Sequence, residues 1–90
     1  MNFEWDPIKA RGNASKHSIT FDDAATVFGD PLALTFPDPD HSHEEDRFVT
    51  FGSMANGEMV VVSHTDREDS IRIISARRMT SKEVEDYEKF

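Results

Sequence analysis

The sequence changes its pattern at Asp30-Pro31, and this change constrains the fold more than any other feature. Before it, polar capping residues precede short helical stretches, whereas after it runs of β-branched and aromatic residues are separated by Pro, Gly and Asn. Helices followed by strands indicate an α+β protein, which we expect to have a mostly antiparallel, twisted sheet of about four strands with helices packed on one face. A chain of 90 residues predicts a single domain, residues 1–90.

Capping residues predict three helices. Asp6 is a good N-cap and Pro7 a good first helical residue, so a first helix is expected from Pro7 to about Lys16, with Ile8 turned inward. A second helix is predicted between a Thr20 cap and Gly29. A third is predicted after Thr80, where Glu83 completes a capping box.

Strand patterns follow the helical half of the chain. A short opening strand is predicted at residues 3–5, and four further strands are predicted at residues 32–36, 47–52, 59–64 and 71–76. Ala55-Asn56-Gly57 has the composition of a hairpin turn. The last three strands are therefore expected to form a meander.

Charge restricts the classes of function. Eighteen acidic and ten basic side chains give a net charge of −8, which opposes non-specific attraction to nucleic acid. The charges are segregated, because residues 38–46 are rich in acids and residues 67–82 in arginines. Cysteine is absent, and the longest apolar run, Met59 to Val62, is far shorter than the ~20 residues of a membrane span. We therefore predict a cytoplasmic protein with no membrane contact.

The strand at residues 70–78 contains the most informative charges. Alternation predicts that Arg77 shares one face with Ile71 and Ile73, whereas Arg72 and Arg78 lie on the other. Arginine can hold a phosphate through two hydrogen bonds, which lysine cannot do. The alternative is that the last two arginines pair with acids of the next helix, such as Glu83.

His64 is the best candidate for proton transfer, since an ordinary histidine titrates near pH 6.5. Hairpin pairing of its strand with the next one brings it close to Arg72. The alternative is a histidine that only hydrogen-bonds the turn. Arg47 could join the same cluster or neutralise Glu45 and Asp46.

Two other groups of residues have simpler explanations. Lys16 and His17 end the first helix, where positive charge interacts well with the helix dipole. His41 and His43 lie two residues apart in a loop, without the i, i+4 spacing of zinc motifs or thiolate companions. We predict no metal site and no cofactor. Metal-free RNA cleavage remains chemically feasible, because the 2′-hydroxyl is an internal nucleophile and arginines can offset transition-state charge.

The sequence resembles the BrnT family over nearly its whole length. The matching segments are Phe3-Glu4-Trp5-Asp6, Lys9-Ala10-Arg11 with Asn13 and Lys16-His17, Ile19 to Ala24, Phe28-Gly29-Asp30-Pro31, Arg47-Phe48, His64-Thr65, and Ile71 to Arg78. The combination is specific, although no single piece is.

The resemblance implies a toxin of a type II toxin–antitoxin pair, with a RelE-like fold, that inhibits translation by cutting RNA. It further implies a hetero-oligomer with a BrnA-like ribbon-helix-helix antitoxin, which binds operator DNA on behalf of the complex. The implied catalytic residues are Arg47, His64, Arg72 and Arg77, and the implied substrate-binding residues are Lys16, His17 and Arg78.

The acidic charge departs from the RelE pattern, since such toxins are usually basic. Three hypotheses therefore stay open. The chain is a ribonuclease toxin with an arginine–histidine cluster, or a weak or inactive homologue that binds antitoxin and tunes repression of the operon, or a small structural domain with surface arginines. We also expect an antitoxin segment to lie over Arg72 and Arg77.

Overall fold

The computed structural model describes all 90 residues and contains one sheet and three α-helices. The elements in chain order are β1 (Asn2–Glu4), α1 (Pro7–His17), α2 (Phe21–Ala25), β2 (Leu34–Pro37), β3 (Phe48–Ser53), β4 (Met59–Arg67), β5 (Ser70–Arg78) and α3 (Ser81–Tyr87), with 3₁₀ turns at Thr26–Gly29 and Pro39–His41. None of the helices has the length and apolar character that a bilayer crossing requires. The predicted α+β class is confirmed.

The sheet has five strands in the order β1-β5-β4-β3-β2, rather than about four. The predicted meander is confirmed, because β2 to β5 pair with their neighbours in antiparallel fashion. The additional strand is β1, which pairs parallel to β5 and aligns Phe3 with Ile71 and Glu4 with Arg72. The start of the chain thus forms a sheet edge next to the last strand.

The predicted caps are confirmed at all three helices. Asp6 accepts a hydrogen bond from the backbone N–H of Ile8 at 2.8 Å, and Thr20 accepts one from the N–H of Asp23. A complete capping box opens α3. The second helix is shorter than predicted, since it tightens into a 3₁₀ turn after Ala25.

One face of the sheet, which we call the inner face, is covered by α1 and α2. The core consists of buried side chains from both layers: Ile19, Phe21, Ala24, Val27, Met54, Val60, Val62, Ile73 and Ala76. The prediction that Ile8 turns inward is wrong, because its side chain is 70% exposed. Asn13 connects α1 to the sheet instead, donating to the carbonyl oxygens of Ile19 and Ala76 and accepting from the N–H of Ala76.

The third helix lies on the opposite, outer face, so the prediction that all helices share one face is wrong. Val62 faces the core, and side chains alternate across a strand, so the neighbouring Val61 and its partner Arg77 point outward. The guanidinium of Arg77 binds Glu83 in the first turn of α3. This contact holds the helix over the outer face, where Tyr87 also donates to the carbonyl of Leu32.

A β-bulge separates the two halves of the β4–β5 pair. Ser63 is opposite Ser75, but the next residue, His64, is opposite Ile73, so that Ile74 has no partner. An extra residue on one strand reverses the alternation beyond it.

The bulge overturns the predicted distribution of the arginines. Ile73 and Ala76 both lie in the core, so Arg72 points to the outer face, the same face as Arg77. The prediction from simple alternation had placed these two arginines on opposite faces.

Candidate functional site

His64 is held in a closed environment on the inner face, with only 2% of its surface exposed. Its Nε2 hydrogen-bonds the hydroxyl of Thr50 at 2.7 Å, and its Nδ1 hydrogen-bonds Oδ1 of Asp66 at 2.9 Å. The ring of Phe28 meets the imidazole edge to face, and the ring of Phe48 stacks on it. Burial lowers the pKa of His64 and outweighs the opposing effect of Asp66. The imidazole is therefore fixed in orientation and favoured in its neutral form.

Asp66 connects this buried histidine to the surface. It follows His64 by two residues on the same strand, so both side chains point to the same face. Its side chain is 54% exposed. Asp66 and Arg67 also line one open groove beside the β4–β5 turn. Solvent and ligands can therefore reach this pair through the carboxylate of Asp66.

An arginine–glutamate network, consisting of Arg47, Arg67, Arg72, Glu4 and Glu45, lies at the same end of the sheet. Glu45 is 3.9 Å from Arg47 and 3.7 Å from Arg67. Glu4 is 3.3 Å from Arg67 and 3.7 Å from Arg72. All four distances exceed the 2.7–2.9 Å of a strong charged hydrogen bond. The Nε of Arg47 and the Oε1 of Glu4 are buried without any hydrogen bond.

The acidic loop at residues 38–46 is attached to the network. Thr65, which is paired with Arg72, donates a hydrogen bond to the carbonyl of Asp46 at 2.7 Å. The N–H of Asp38 donates to the carbonyl of Arg47. These contacts hold both ends of the loop, and Glu45 on it reaches two arginines.

The predicted arginines at the end of β5 are engaged in short ion pairs. Arg77 donates to both carboxylate oxygens of Glu83 at 2.7 and 2.9 Å. This hydrogen bonding lowers the pKa of Glu83 to about 2 and raises the pKa of Arg77. Arg78 pairs with Glu58 at 2.9 Å and donates to the carbonyl of His17 at 2.6 Å. The alternative interpretation, pairing with Glu83, is therefore confirmed for Arg77, whereas Arg78 has a different partner.

The predicted site residues thus fall into two groups at opposite ends of β5. The His64 end contains Arg47, His64 and Arg72, and the Arg77 end contains Arg77, Arg78, Lys16 and His17. Arg72 and Arg77 are separated by ~15 Å along the strand. The structure does not bring the four predicted catalytic residues together.

The histidines of the acidic loop form no metal centre. His41 hydrogen-bonds Asp38 at 2.9 Å, and no three His, Asp or Glu side chains of the chain converge on one point. His41 and His43 instead line an open groove of about 440 Å³ together with Arg47.

Three members of the His64 end were not predicted from the sequence. Asp66 could have been found, because a residue two positions after His64 shares its face of a strand. Arg67 lies beyond the predicted end of its strand at residue 64, but β4 continues through it. No local sequence pattern indicates a role for Glu4, because it reaches Arg72 only through the parallel pairing of β1 with β5.

The fold and this end of the sheet define a small α+β protein with an arginine-rich site suited to an anionic ligand. The sequence model of the ribonuclease toxin BrnT of type II toxin–antitoxin systems matches residues 5–83. The chain therefore belongs to the BrnT family of ribonuclease toxins, and membership of a type II pair implies an antitoxin partner.

The fold is similar to the crystal structure of the Brucella abortus ribonuclease toxin BrnT. The two share 23% sequence identity with a TM-score of 0.70, over 90% of this chain and 99% of the Brucella chain. Comparison with curated proteins gives no match.

Proposed function

We propose that this chain is an endoribonuclease toxin that cuts RNA without a metal ion, inhibits translation in the cytoplasm, and is neutralised in a hetero-oligomer by a ribbon-helix-helix antitoxin. One observation carries the proposal. Three arginines with weakly satisfied charges lie at the same end of the sheet as the His64–Asp66 pair.

The arginine–glutamate network is suited to bind an RNA phosphate. Its ion pairs are long and its members are partly exposed, so each pair contributes little stability. A phosphate can displace Glu45 or Glu4 and offer the guanidinium of Arg47 or Arg72 shorter, bidentate hydrogen bonds. The glutamates then act as internal competitors, which explains how an acidic chain can keep a basic site.

The proposed reaction is transesterification within the RNA. The 2′-oxygen attacks the adjacent phosphorus while its proton passes to the carboxylate of Asp66. The P–O5′ bond breaks, its electron pair stays on the 5′-oxygen, and that oxygen takes up a proton from water. The products are a 2′,3′-cyclic phosphate and a 5′-hydroxyl. Arg67, which lines the same groove as Asp66, offsets the charge on the phosphorane-like transition state, while Arg47 and Arg72 hold neighbouring phosphates of the RNA.

His64 acts in this scheme as a positioning residue. Its Nδ1 holds one oxygen of Asp66, and its burial between two aromatic rings fixes the direction of that contact. The other carboxylate oxygen is then free to accept a proton. The predicted role of His64 as the proton acceptor itself is a competing assignment, which requires the inner face to open.

Arg77 and Arg78 stay candidates for RNA contact, with Lys16 and His17 beside them. To bind Arg77 or Arg78, an RNA phosphate has to replace Glu83 or Glu58. These two glutamates form shorter ion pairs than the carboxylates of the His64 end. We therefore assign the first role in phosphate binding to the His64 end.

A second candidate function is an antitoxin-binding module with little or no cleavage activity. Two observations favour it, the burial of His64 and the net charge of −8. In this case the chain would tune repression of the operon, and operator DNA would be contacted only through the antitoxin.

Induced expression in a bacterium separates the two functions. The wild type is compared with Arg47→Ala/Arg72→Ala and with Ile8→Ala, a matched exposed control on α1. The ribonuclease is supported if the wild type arrests growth and leaves RNA ends that bear a cyclic phosphate, and if only the double variant loses both effects. RNA cleavage by the purified protein should also be unaffected by a metal chelator. Unimpeded growth with intact RNA, together with retained antitoxin binding, supports the module.

A further inference from the structure

A groove on the outer face is lined largely by apolar side chains. It lies between α3 and the edge strand β2, and its apolar lining is Leu34, Phe36, Phe51, Tyr87 and Phe90. The groove has a volume of about 160 Å³. A second hollow of about 560 Å³ shares three of these residues and extends the apolar surface to Leu32.

Exposed apolar surface is concentrated in this region. Leu32 is 74% exposed, Phe90 83% and Phe36 39%, so three of the five exposed large hydrophobic residues of the chain lie here. The aromatic rings of Phe36 and Phe90 contact each other, which preforms one wall of the groove. A contiguous apolar patch with a polar rim is typical of a protein interaction surface rather than of scattered surface residues.

The rim of the groove is acidic. The charged residues that line the two hollows are Glu83, Asp86 and Glu88, and no basic residue lines either one. Glu88 forms no ion pair, and Asp86 has only an exposed helical pair with Lys82. An acidic rim repels RNA phosphates. It also disfavours a second copy of a chain that carries a charge of −8.

We propose that this groove is the docking surface for an antitoxin segment that inserts apolar side chains and carries Lys or Arg beside them. The partner rests on membership of a type II toxin family, and the surface is independent of the proposed RNA chemistry. The segment occupies the groove beside the Arg77–Glu83 pair and leaves Arg72 uncovered, which revises the expectation that it lies over both arginines.

The test measures the affinity of the purified chain for the antitoxin encoded beside it. Leu32→Glu and Phe90→Glu introduce charge at two exposed groove positions, and Ile8→Glu is the matched control, 70% exposed on α1. We expect each groove variant to raise Kd by about tenfold or more, because apolar anchors dominate such interfaces. The control should stay within about twofold, and Asp86→Lys should weaken binding severalfold through repulsion of the basic partner.

Three readouts make the result decisive. Circular dichroism must show that the variants are folded, which their exposure leads us to expect. Unchanged antitoxin affinity in both groove variants overturns the proposal. The proposal is also overturned if sedimentation shows that the wild type is a dimer, that Phe90→Glu dissociates this dimer, and that antitoxin affinity is unchanged. The occupant of the groove would then be a second copy of the chain. Since binding is measured without RNA, an inactive wild type would refute the ribonuclease assignment and leave this test intact.

Discussion

The two ends of β5 both place arginines beside carboxylates, but the ion pairs differ in kind. At the Arg77 end, Glu83 is bound at 2.7 and 2.9 Å by both terminal nitrogens of Arg77. At the His64 end, the arginines are 3.3–3.9 Å from carboxylates that they share. Short, exclusive pairs hold α3 in place, whereas long, shared pairs can be exchanged for a ligand. The same residue type is therefore structural at one end and available at the other.

Removing the arginines from one end of β5 at a time should give the largest effect. Arg47→Ala/Arg72→Ala is expected to lower the RNA cleavage rate of the purified protein by about 100-fold or more, since each charged hydrogen bond contributes about 1.5–3 kcal/mol. Arg77→Ala/Arg78→Ala should retain most of the activity. Greater loss in the second variant, with its fold intact, would reverse the assignment of the two ends.

Stability should show the opposite asymmetry. Glu83→Ala removes both the capping box and the Arg77 pair, and should lower the free energy of unfolding by about 1–2 kcal/mol. Glu45→Ala should change it by less than about 0.5 kcal/mol. Urea unfolding followed by circular dichroism measures both, and equal losses would contradict the distinction between exclusive and shared pairs.

The Glu83 contribution should also depend on pH. Its pKa in the folded protein, about 2, lies below the ordinary value of 4.5. Its stabilising effect is therefore complete above pH 4.5 and is lost as pH falls from there towards 2. Wild type and Glu83→Gln should converge in stability over this window, as measured by urea unfolding at several pH values. A constant difference would show that the carboxylate charge is not the source.

Removing one carboxylate charge from the His64 end should have a smaller effect. Glu45→Gln removes the charge that competes for Arg47 and Arg67, and should raise the affinity for a short, non-cleavable RNA severalfold at low salt. Glu85→Gln is the matched control, because it removes an equal charge from an exposed pair on α3. An equal gain in both variants would indicate a general charge effect without internal competition.

The smallest effect concerns His64 itself. Its pKa in the folded protein lies below the ordinary 6.5, so the unfolded chain binds more protons below that pH. The free energy of unfolding should therefore fall as pH drops through 6.5, and reach its lower limit below the folded pKa. His64→Gln should flatten this dependence, whereas His41→Gln, in the exposed loop, should preserve it. An unaltered slope in His64→Gln would mean that other groups cause the effect.

Much of this arrangement could be predicted from local sequence signals. Caps at Asp6, Thr20 and Thr80 locate the helices, because their hydrogen bonds are made within a few residues. The register of the β4–β5 pair was harder to predict, because the bulge at Ser63 and His64 has no marker in the sequence. The bulge reverses the face to which every residue beyond it points. The position of Arg72 was therefore misjudged, because its backbone lies beside the β4 segment that contains His64, but the two side chains point to opposite faces of the sheet.

The candidate site was predictable only in part for a similar reason. His64 and Arg72 were identified by residue type and hairpin pairing, both of which are local. The contact of Glu4 with Arg72 and the burial of His64 beneath Phe28 depend on elements distant in sequence. No pattern within a single segment encodes such contacts, so they emerge only when the sheet and helices are assembled.

The parallel pairing of β1 with β5 also has a consequence for synthesis of the chain. Among the strands of this sheet β1 is synthesised before the others and must wait for β5, the last of them, and long-range parallel contacts form slowly. We expect the amides of residues 2–4 to gain hydrogen-exchange protection later during refolding than those of residues 60–62. Glu4 would then reach Arg72 only at the final step, so the guanidinium of Arg72 stays without its carboxylate partner until β1 closes the sheet.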